Sequence, residues 1–153
     1  MRFWDSSALV PSLVAEPTSE TVRALIAEDS SITAWWATDI ECTSALARRE
    51  RTGALEPGAA ADAYAALTAL GRTWTEVSPS ERIRDNARRL VRVHDLSASD
   101  ALQLSAAREA SDEQTESLPF VTLDERLALA ARREGFPVLP LGAAVPLASD
   151  KAS

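Results

Sequence analysis

The sequence predicts an α/β domain built on a mainly parallel sheet, and three observations support this prediction. Short apolar runs alternate with longer helical stretches along the 153 residues. Gly53, Gly71 and Gly135 each follow a helical stretch, where a glycine commonly ends a helix. A composition of 46% hydrophobic and 25% charged residues is typical of one globular domain with a single buried core.

The elements are predicted from periodicity in chain order. Five short apolar runs are the predicted strands: 2–4, 31–36, 73–77, 119–122 and 137–139. Longer amphipathic segments are the predicted helices: 7–15, 18–29, 39–52, 57–70, 79–94, 99–110 and 125–134. The polar segment 111–117 (SDEQTES) is predicted to be an exposed loop. We expect the domain to span residues 1–140 and residues 141–153 to form a C-terminal tail, frayed over 148–153.

Composition also indicates where the protein works. No apolar run approaches the roughly 20 residues needed to span a bilayer, and the start MRFWDSSALV lacks the pattern of a signal peptide. The lone cysteine, Cys42, allows no internal disulfide and suits a reducing compartment. We predict Cys42 to be a small apolar residue within a helix. We therefore expect a soluble cytoplasmic protein with no membrane association.

The charge pattern leaves two interpretations open. The net charge is −7, although all basic residues but Lys151 are arginine, and several of these cluster at 48–51 and 82–92. Arginine suits bidentate contact with phosphate, but an arginine-rich helix face exposed to solvent explains the clusters equally well. Charge alone therefore does not identify a partner.

Acidic residues recur where the predicted strands end. Asp5 directly follows the strand 2–4, and Asp124 follows the strand 119–122. Glu41 lies in the first turn of the helix after the strand 31–36. Open parallel sheets bind ligands beyond the carboxyl ends of their strands, so we expect these three side chains to lie near one crevice.

Asp100 is predicted to face the same crevice for a different reason. The helical residues 101–107 after it carry no charge, which indicates a buried helix. No Lys or Arg lies within four residues of Asp100 on either side. Burial of an unpaired carboxylate costs several kcal/mol, so Asp100 is expected to bind a cation or a substrate.

Helix capping is the alternative explanation for several of these residues. Capping-box patterns fit three pairs: Thr38 with Glu41, Thr122 with Glu125 and, more weakly, Ser97 with Asp100. The segment Ser78-Pro79-Ser80-Glu81 is an equally good capping box to which we assign no chemistry. Glu41 taken alone is explained as well by capping as by a site.

Hydroxyl residues beside the acids have the same two explanations. Ser6 and Ser7 either cap the first helix or orient the Asp5 carboxylate. Thr122 is predicted first as a helix cap and second as a group that supports the site.

Four clustered carboxylates permit a specific chemistry. Close like charges raise one another's pKa unless a cation compensates, and oxygen ligands select hard cations such as Mg²⁺ or Mn²⁺. Such an ion activates water and stabilises charge on a phosphate. His94 is the only histidine, so a mechanism with paired histidines is not available, and we predict it to be a capping or surface residue.

Other acidic α/β enzymes fit less well. A haloacid-dehalogenase phosphatase needs an acid two residues after the first Asp, where Ser7 stands, and a core lysine. A response-regulator receiver also needs that lysine, whereas the one lysine here is Lys151 in the predicted tail. Gly-rich phosphate loops, Cys/His metal spacing and nucleophile elbows are missing from the sequence.

Four motifs resemble those of the PIN-domain ribonucleases, and among these the toxins of VapBC-type toxin–antitoxin pairs. They are DSSALV, TDIECTSALARRERTGAL, LSASDALQLSAA and FVTLDERLALAARREGFPVL, which stand in the family's order over about residues 1–140. The resemblance implies a three-layer α/β/α fold. It also implies a set of acidic residues that coordinate Mg²⁺ or Mn²⁺ and position the hydrolytic water, at Asp5, Glu41, Asp100 and Asp124. Ser6 and Thr122 match positions that support this site.

The resemblance further implies an RNA substrate, a cognate antitoxin and a homodimer. Leu9, Val10, Leu13 and Val14 are candidate antitoxin contacts, and ordinary core packing is the alternative for them. Of the pair Trp35-Trp36, one ring is expected to face the core and the other the opposite layer, with base stacking as a lesser alternative. A catalytically silent domain that only binds RNA or a partner remains the alternative function.

Overall fold

The computed structural model describes residues 1–142, and these residues form five strands and seven α-helices. Strands are β1 Arg2–Trp4, β2 Ile32–Trp35, β3 Thr75–Val77, β4 Phe120–Val121 and β5 Val138–Leu139. Helices are α1 Ser6–Leu13, α2 Ser19–Glu28, α3 Thr38–Arg51, α4 Pro57–Gly71, α5 Glu81–Val93, α6 Ala98–Ala110 and α7 Glu125–Arg133. A short 3₁₀ helix spans Thr115–Ser117. The fraying predicted for 148–153 lies outside the described residues.

The strands form one sheet in the order β3-β2-β1-β4-β5, and every neighbouring pair is parallel. The first strand is central, and Phe3 stands opposite both Thr33 and Phe120. All five strands therefore end at the same edge of the sheet. The predicted parallel sheet is confirmed, and this edge is where the loops that follow β1 and β4 meet.

Side chains alternate between the two faces of the sheet, and each face has its own core. Phe3, Trp35 and Phe120 pack on one face against α5, α6 and α7. Trp4 and Val121 pack on the other face against α1, α2, α3 and α4. Successive residues of a strand point to opposite faces of the sheet. Because helices cover both faces, consecutive residues of the central strands are both buried. The predicted three-layer α/β/α fold is confirmed.

Trp36 differs from the prediction. Strand β2 ends at Trp35, so Trp36 lies in the turn before α3 and is 55% exposed rather than packed in the opposite layer. Trp35 is buried in the core, as predicted.

The polar segment 111–117 also differs from the prediction, because it is only partly exposed. Ser111 and Thr115 are buried, and the Thr115 hydroxyl donates to the Glu134 carbonyl at 2.9 Å. Gly135 lies beside it with φ +96°, and a Cβ there would stand 2.6 Å from the Thr115 Oγ1. The turn after α7 therefore requires glycine, whereas Gly71 is simply the last residue of α4.

Cys42 lies on α3 and is fully buried, as predicted, and burial raises the pKa of its thiol to about 12. The thiol is therefore inert at neutral pH. Among residues 1–142, no helix combines the length and apolar character needed to cross a bilayer.

Candidate metal and nuclease site

Asp5 stands directly after the central strand and is almost completely buried, with 3% of its surface exposed. Its amide donates to the Val121 carbonyl at 3.0 Å, which extends the β1–β4 pairing by one residue. The carboxylate caps α1 by accepting from the Ser7 amide. It also accepts from the hydroxyls of Ser7 and Thr122, the latter at 2.9 Å. The Asp5 carboxylate is therefore fixed in orientation at the edge of the sheet.

The environment of Asp5 opposes a lasting negative charge. Burial raises the pKa of the Asp5 carboxyl and outweighs the hydrogen bonds from Ser7 and Thr122, which lower it, while the nearby charge of Asp124 raises it further. Desolvation disfavours the ionised form unless a cation takes the place of the lost water. Asp5 is thus a carboxylate that favours a positive ligand.

Asp124, and not Thr122, caps helix α7. The N-cap of α7 is Asp124, whose Oδ1 accepts from the Leu127 amide at 3.0 Å. Thr122 accepts from the Asp124 amide at 3.1 Å and donates to Asp5. The predicted capping box of Thr122 and Glu125 is therefore wrong, and Thr122 instead joins the two acidic residues.

Glu41 is held by hydrogen bonds that belong to a site rather than to a helix cap. Ser6 donates to its Oε1 at 3.3 Å, and Gln103 donates to its Oε2 at 3.0 Å. Thr38 does not cap α3, because the helix starts after Ala37 and the Thr38 hydroxyl accepts from Gln103. The predicted capping box of Thr38 and Glu41 is wrong. Burial, followed by the charge of Asp5, raises the pKa of Glu41 to about 7.

Asp100 lies in the first turn of α6, and the Ser97 hydroxyl accepts from its amide at 3.2 Å. Ser97 is the helix cap, as predicted, and six of the seven residues that follow Asp100 are buried. Asp100 itself is only partly buried. Burial, then the charges of Asp124 and Asp5, raise the pKa of its carboxyl to about 6.

The comparison segment at α5 shows capping without chemistry. Ser80, rather than Ser78, is the N-cap and accepts from the Ile83 amide at 3.2 Å. The helix begins at Glu81, so Pro79 lies before its first turn. The capping pattern thus identifies a helix start here but misplaces it by two residues.

These acidic residues meet at one cavity. Asp5, Asp100 and Asp124 line a space of about 270 Å³, together with Ser6, Ser7 and Val10 and with side chains of α3. Glu41 stands at its border, joined to Asp5 through Ser6, which lies within 3.5 Å of a carboxylate oxygen of each. The structure therefore brings the four predicted acids to one place.

The donor set fits a hard divalent cation. The side chains around the cavity that can bind a metal offer carboxylate and hydroxyl oxygens. The hydrogen bonds that lower the carboxyl pKa values come from hydroxyl, amide and backbone groups. Mg²⁺ and Mn²⁺ favour such ligands. In the described part of the chain, no three Asp, Glu, His or Cys side chains lie close enough together to hold a metal ion as they stand. An ion would be held by some of the carboxylates with water in its remaining positions, as is usual for Mg²⁺.

Two further residues support the site: Ser7 takes one of the two roles predicted for it, and Gln103 was not assigned from the sequence. Ser7 bonds Asp5 and accepts from the Leu123 amide at 3.0 Å, and so links the loops after β1 and β4. Gln103 is fully buried and holds Glu41. Gln103 stands three residues after Asp100, on the same face of α6, and an amide inside an apolar helix was the signal for it.

His94 is the C-cap residue of α5, which is one of its two predicted roles, but its side chain does not lie on the surface. Its side chain is 5% exposed, and Nε2 lies 2.8 Å from Glu134 Oε2. The Glu134 carboxylate also binds Arg89 and Arg108, the latter at 2.8 Å. These residues form a separate ion cluster of α5, α6 and α7, which we call the Glu134 cluster.

The predicted antitoxin contacts on α1 are mostly core residues. Leu9, Val10 and Val14 are buried among the side chains of the α1–α4 layer, and Leu13 is partly buried there. Core packing therefore explains the apolar face of this helix.

Comparisons with known proteins agree with this architecture. The model of the family described as the PIN domain matches residues 2–133. A solved structure, the crystal structure of FitAcB from Neisseria gonorrhoeae, superposes with a TM-score of 0.62. The alignment covers 90% of this chain and 96% of that chain at 15% identity, so it shows a shared fold. The search of curated proteins gave no match.

Proposed function

This chain belongs to the PIN domain family, and from that premise we propose that it is a divalent-metal-dependent endoribonuclease. Domains of this family are generally metal-dependent nucleases. The observation that carries the proposal is the meeting of Asp5, Asp100 and Asp124 at one cavity, with Glu41 at its border. Burial raises the pKa of Asp5, Glu41 and Asp100, and their mutual repulsion adds to it, which is the expected signature of a site that awaits a cation.

Each residue has a defined task in the proposed reaction. Asp5, Asp100 and Asp124 would hold Mg²⁺ or Mn²⁺, and Glu41 would complete the set. When bound there, such an ion would lower the pKa of a coordinated water and would place positive charge next to the RNA phosphate. Ser7 and Thr122 hold the Asp5 carboxylate in one orientation, and Ser6 and Gln103 do the same for Glu41. Groups of this kind fix the ligands of a metal and raise its affinity.

The motif resemblance to VapBC-type toxins supports a narrower form of the proposal. In this form the chain is a toxin that cuts RNA, forms a homodimer in the cytoplasm and is inhibited by a cognate antitoxin. A silent domain with the same fold, which binds RNA or a partner without cleaving, is the competing proposal. Intact carboxylates at all four positions favour the enzyme.

Cleavage of RNA tests the proposal directly. We expect Mg²⁺ or Mn²⁺ to support cleavage, a chelator to stop it, and Asp100→Asn to reduce it by more than about 100-fold, beyond the loss typical of a supporting residue. Sequencing of the RNA ends measures the rate and the cut site together. Expression of wild type but not of Asp100→Asn should slow cell growth.

Asp39→Asn is the matched control for Asp100→Asn. Asp39 also lies in the first turn of a helix, but its side chain is exposed and lies outside the cavity. The Asp39→Asn protein should cleave RNA at the wild-type rate. Equal activity of wild type and Asp100→Asn would exclude the site, and absence of cleavage by all three proteins would favour the silent domain.

A further inference from the structure

Two arginine side chains also line the acidic cavity, and the proposed metal site gives them no role. Arg48 and Arg49 of α3 line the same space as Asp5, Asp100 and Asp124. Glu41, Ala45 and Arg48 follow one another at the spacing of a single helix face. The face of α3 that presents Glu41 to the site therefore also presents Arg48 to it, two turns further on.

The two arginines differ in what they bind. Arg49 is engaged, because its Nε lies 2.6 Å from Glu16 Oε1 and its Nη1 donates to the Ala45 carbonyl at 3.1 Å. Arg48 is exposed, and within residues 1–142 its guanidinium makes no hydrogen bond or ion pair. Among the described residues, the cavity is thus lined by a guanidinium without an ion-pair partner and by carboxylates that also form no ion pair.

A phosphate that enters this cavity meets repulsion from the acids. The chain as a whole adds to it, with a net charge of −7. A guanidinium that lines the same cavity offers paired donors that match two phosphate oxygens. Resting on the proposed ribonuclease function, we propose that Arg48 binds the non-bridging oxygens of the substrate phosphate in this cavity and sets the position of the RNA backbone.

Binding measurements separate this role from catalysis. Fluorescence anisotropy with a labelled single-stranded RNA and Mg²⁺ is measured in the Asp100→Asn background, which should not cleave. Arg48→Ala should weaken binding by about tenfold, the lower end for a charged hydrogen bond. It should also reduce the slope of log K against log salt by about 0.7, the value for one phosphate contact with a single strand.

The conservative variant and the kinetics sharpen the test. Arg48→Lys should keep the salt slope and recover only part of the affinity, because an ammonium retains the charge but not the planar pair of donors. In the otherwise wild-type protein, Arg48→Ala should raise KM more than it lowers kcat, since the contact is present before the transition state.

Arg51→Ala is the matched control, because it removes the same charge from the same helix outside the cavity. Its binding should stay close to that of the parent protein. Equal losses in Arg48→Ala and Arg51→Ala, or an unchanged salt slope in Arg48→Ala, would overturn the proposal. Failure of the ribonuclease function would look different: wild type would not cleave, whereas the difference in RNA binding between the two variants would persist.

Discussion

The acidic cavity and the Glu134 cluster both contain partly buried carboxylates, but the carboxyl pKa values are shifted in opposite directions. At the Glu134 cluster one carboxylate, with its side chain 9% exposed, is bound by Arg89, His94 and Arg108. Burial alone would raise the pKa of Glu134, but the hydrogen bonds of Arg89 and His94 and the charges of Arg89 and Arg108 hold it below its ordinary value. At the cavity the same kind of burial raises the pKa of Glu41 to about 7 and that of Asp100 to about 6.

The two places differ in whether the described residues provide positively charged partners for the carboxylates. The Glu134 cluster joins three helices and is neutralised within the fold, so loss of its carboxylate would leave charged groups unpaired and destabilise the protein. The cavity carries several carboxylates whose hydrogen bonds come from hydroxyls and an amide, and it stays electrostatically incomplete. A perturbed carboxyl pKa therefore indicates a ligand site only where the chain does not compensate the charge.

The largest expected effect on stability comes from the Glu134 cluster. Glu134→Gln removes the charge that Arg89, His94 and Arg108 share, and charged hydrogen bonds of this kind contribute about 1.5–3 kcal/mol. We expect Tm to fall by about 3–12 °C in a domain of this size, with RNA cleavage per folded molecule unchanged. Thermal unfolding and the cleavage assay measure the two parts.

Glu109→Gln is the control, because its ion pair with Arg82 is long at 3.5 Å and solvent-exposed. Such pairs contribute about 0–1 kcal/mol, so Tm should hardly move. Loss of cleavage in folded Glu134→Gln protein would contradict the separation of the two clusters.

A divalent cation should stabilise the cavity and not the Glu134 cluster. At a Mg²⁺ or Mn²⁺ concentration about tenfold above Kd, binding to the folded state alone adds about 1.4 kcal/mol. Tm should then rise by about 3–6 °C. The shift should persist in Glu134→Gln and disappear in Asp100→Asn. An equal rise in Asp100→Asn, or none in wild type, would count against the site.

The smallest effect is the pH dependence of the metal-free protein. The Asp100 carboxyl titrates near 6 in the folded state and near 3.8 in the unfolded state, so the folded state binds more protons between these values. Stability is therefore lost as the pH rises from about 3.8 to 6. Asp100→Asn cannot ionise, so it should raise Tm near pH 8 and leave it almost unchanged near pH 4.

Solvent screening limits this gain, since Asp100 is only partly buried. About 1 kcal/mol is expected, which corresponds to about 2–4 °C. Asp39→Asn, at an exposed carboxyl that also lies in the first turn of a helix, is the control, and it should change Tm near pH 8 less than Asp100→Asn does. A lower Tm for Asp100→Asn near pH 8 would show that the ionised carboxylate stabilises the metal-free fold.

Sequence patterns predicted the elements well, because strands buried on both faces are continuous apolar runs and most of the helices bury one face. The parallel sheet, the buried α6 helix and the places of Asp5 and Asp124 after strands followed from these patterns and are confirmed. Capping patterns were less reliable. Thr38 and Thr122 both fit a capping box, yet each hydroxyl bonds a side chain from a distant part of the chain.

The sequence by itself determined the succession of strands and helices along the chain, the burial of α6 and the presence of acidic residues after the strands. Each of these depends on a local pattern. Only the tertiary structure decided which side chains form hydrogen bonds with one another. Asp5 and Thr122 are 117 residues apart, and Glu41 and Gln103 are 62 apart. A contact across such distances depends on the order of strands in the sheet, which places β1 beside β4. Within residues 1–142, the same packing gave Glu134 its ion-pair partners and gave none to the four acids.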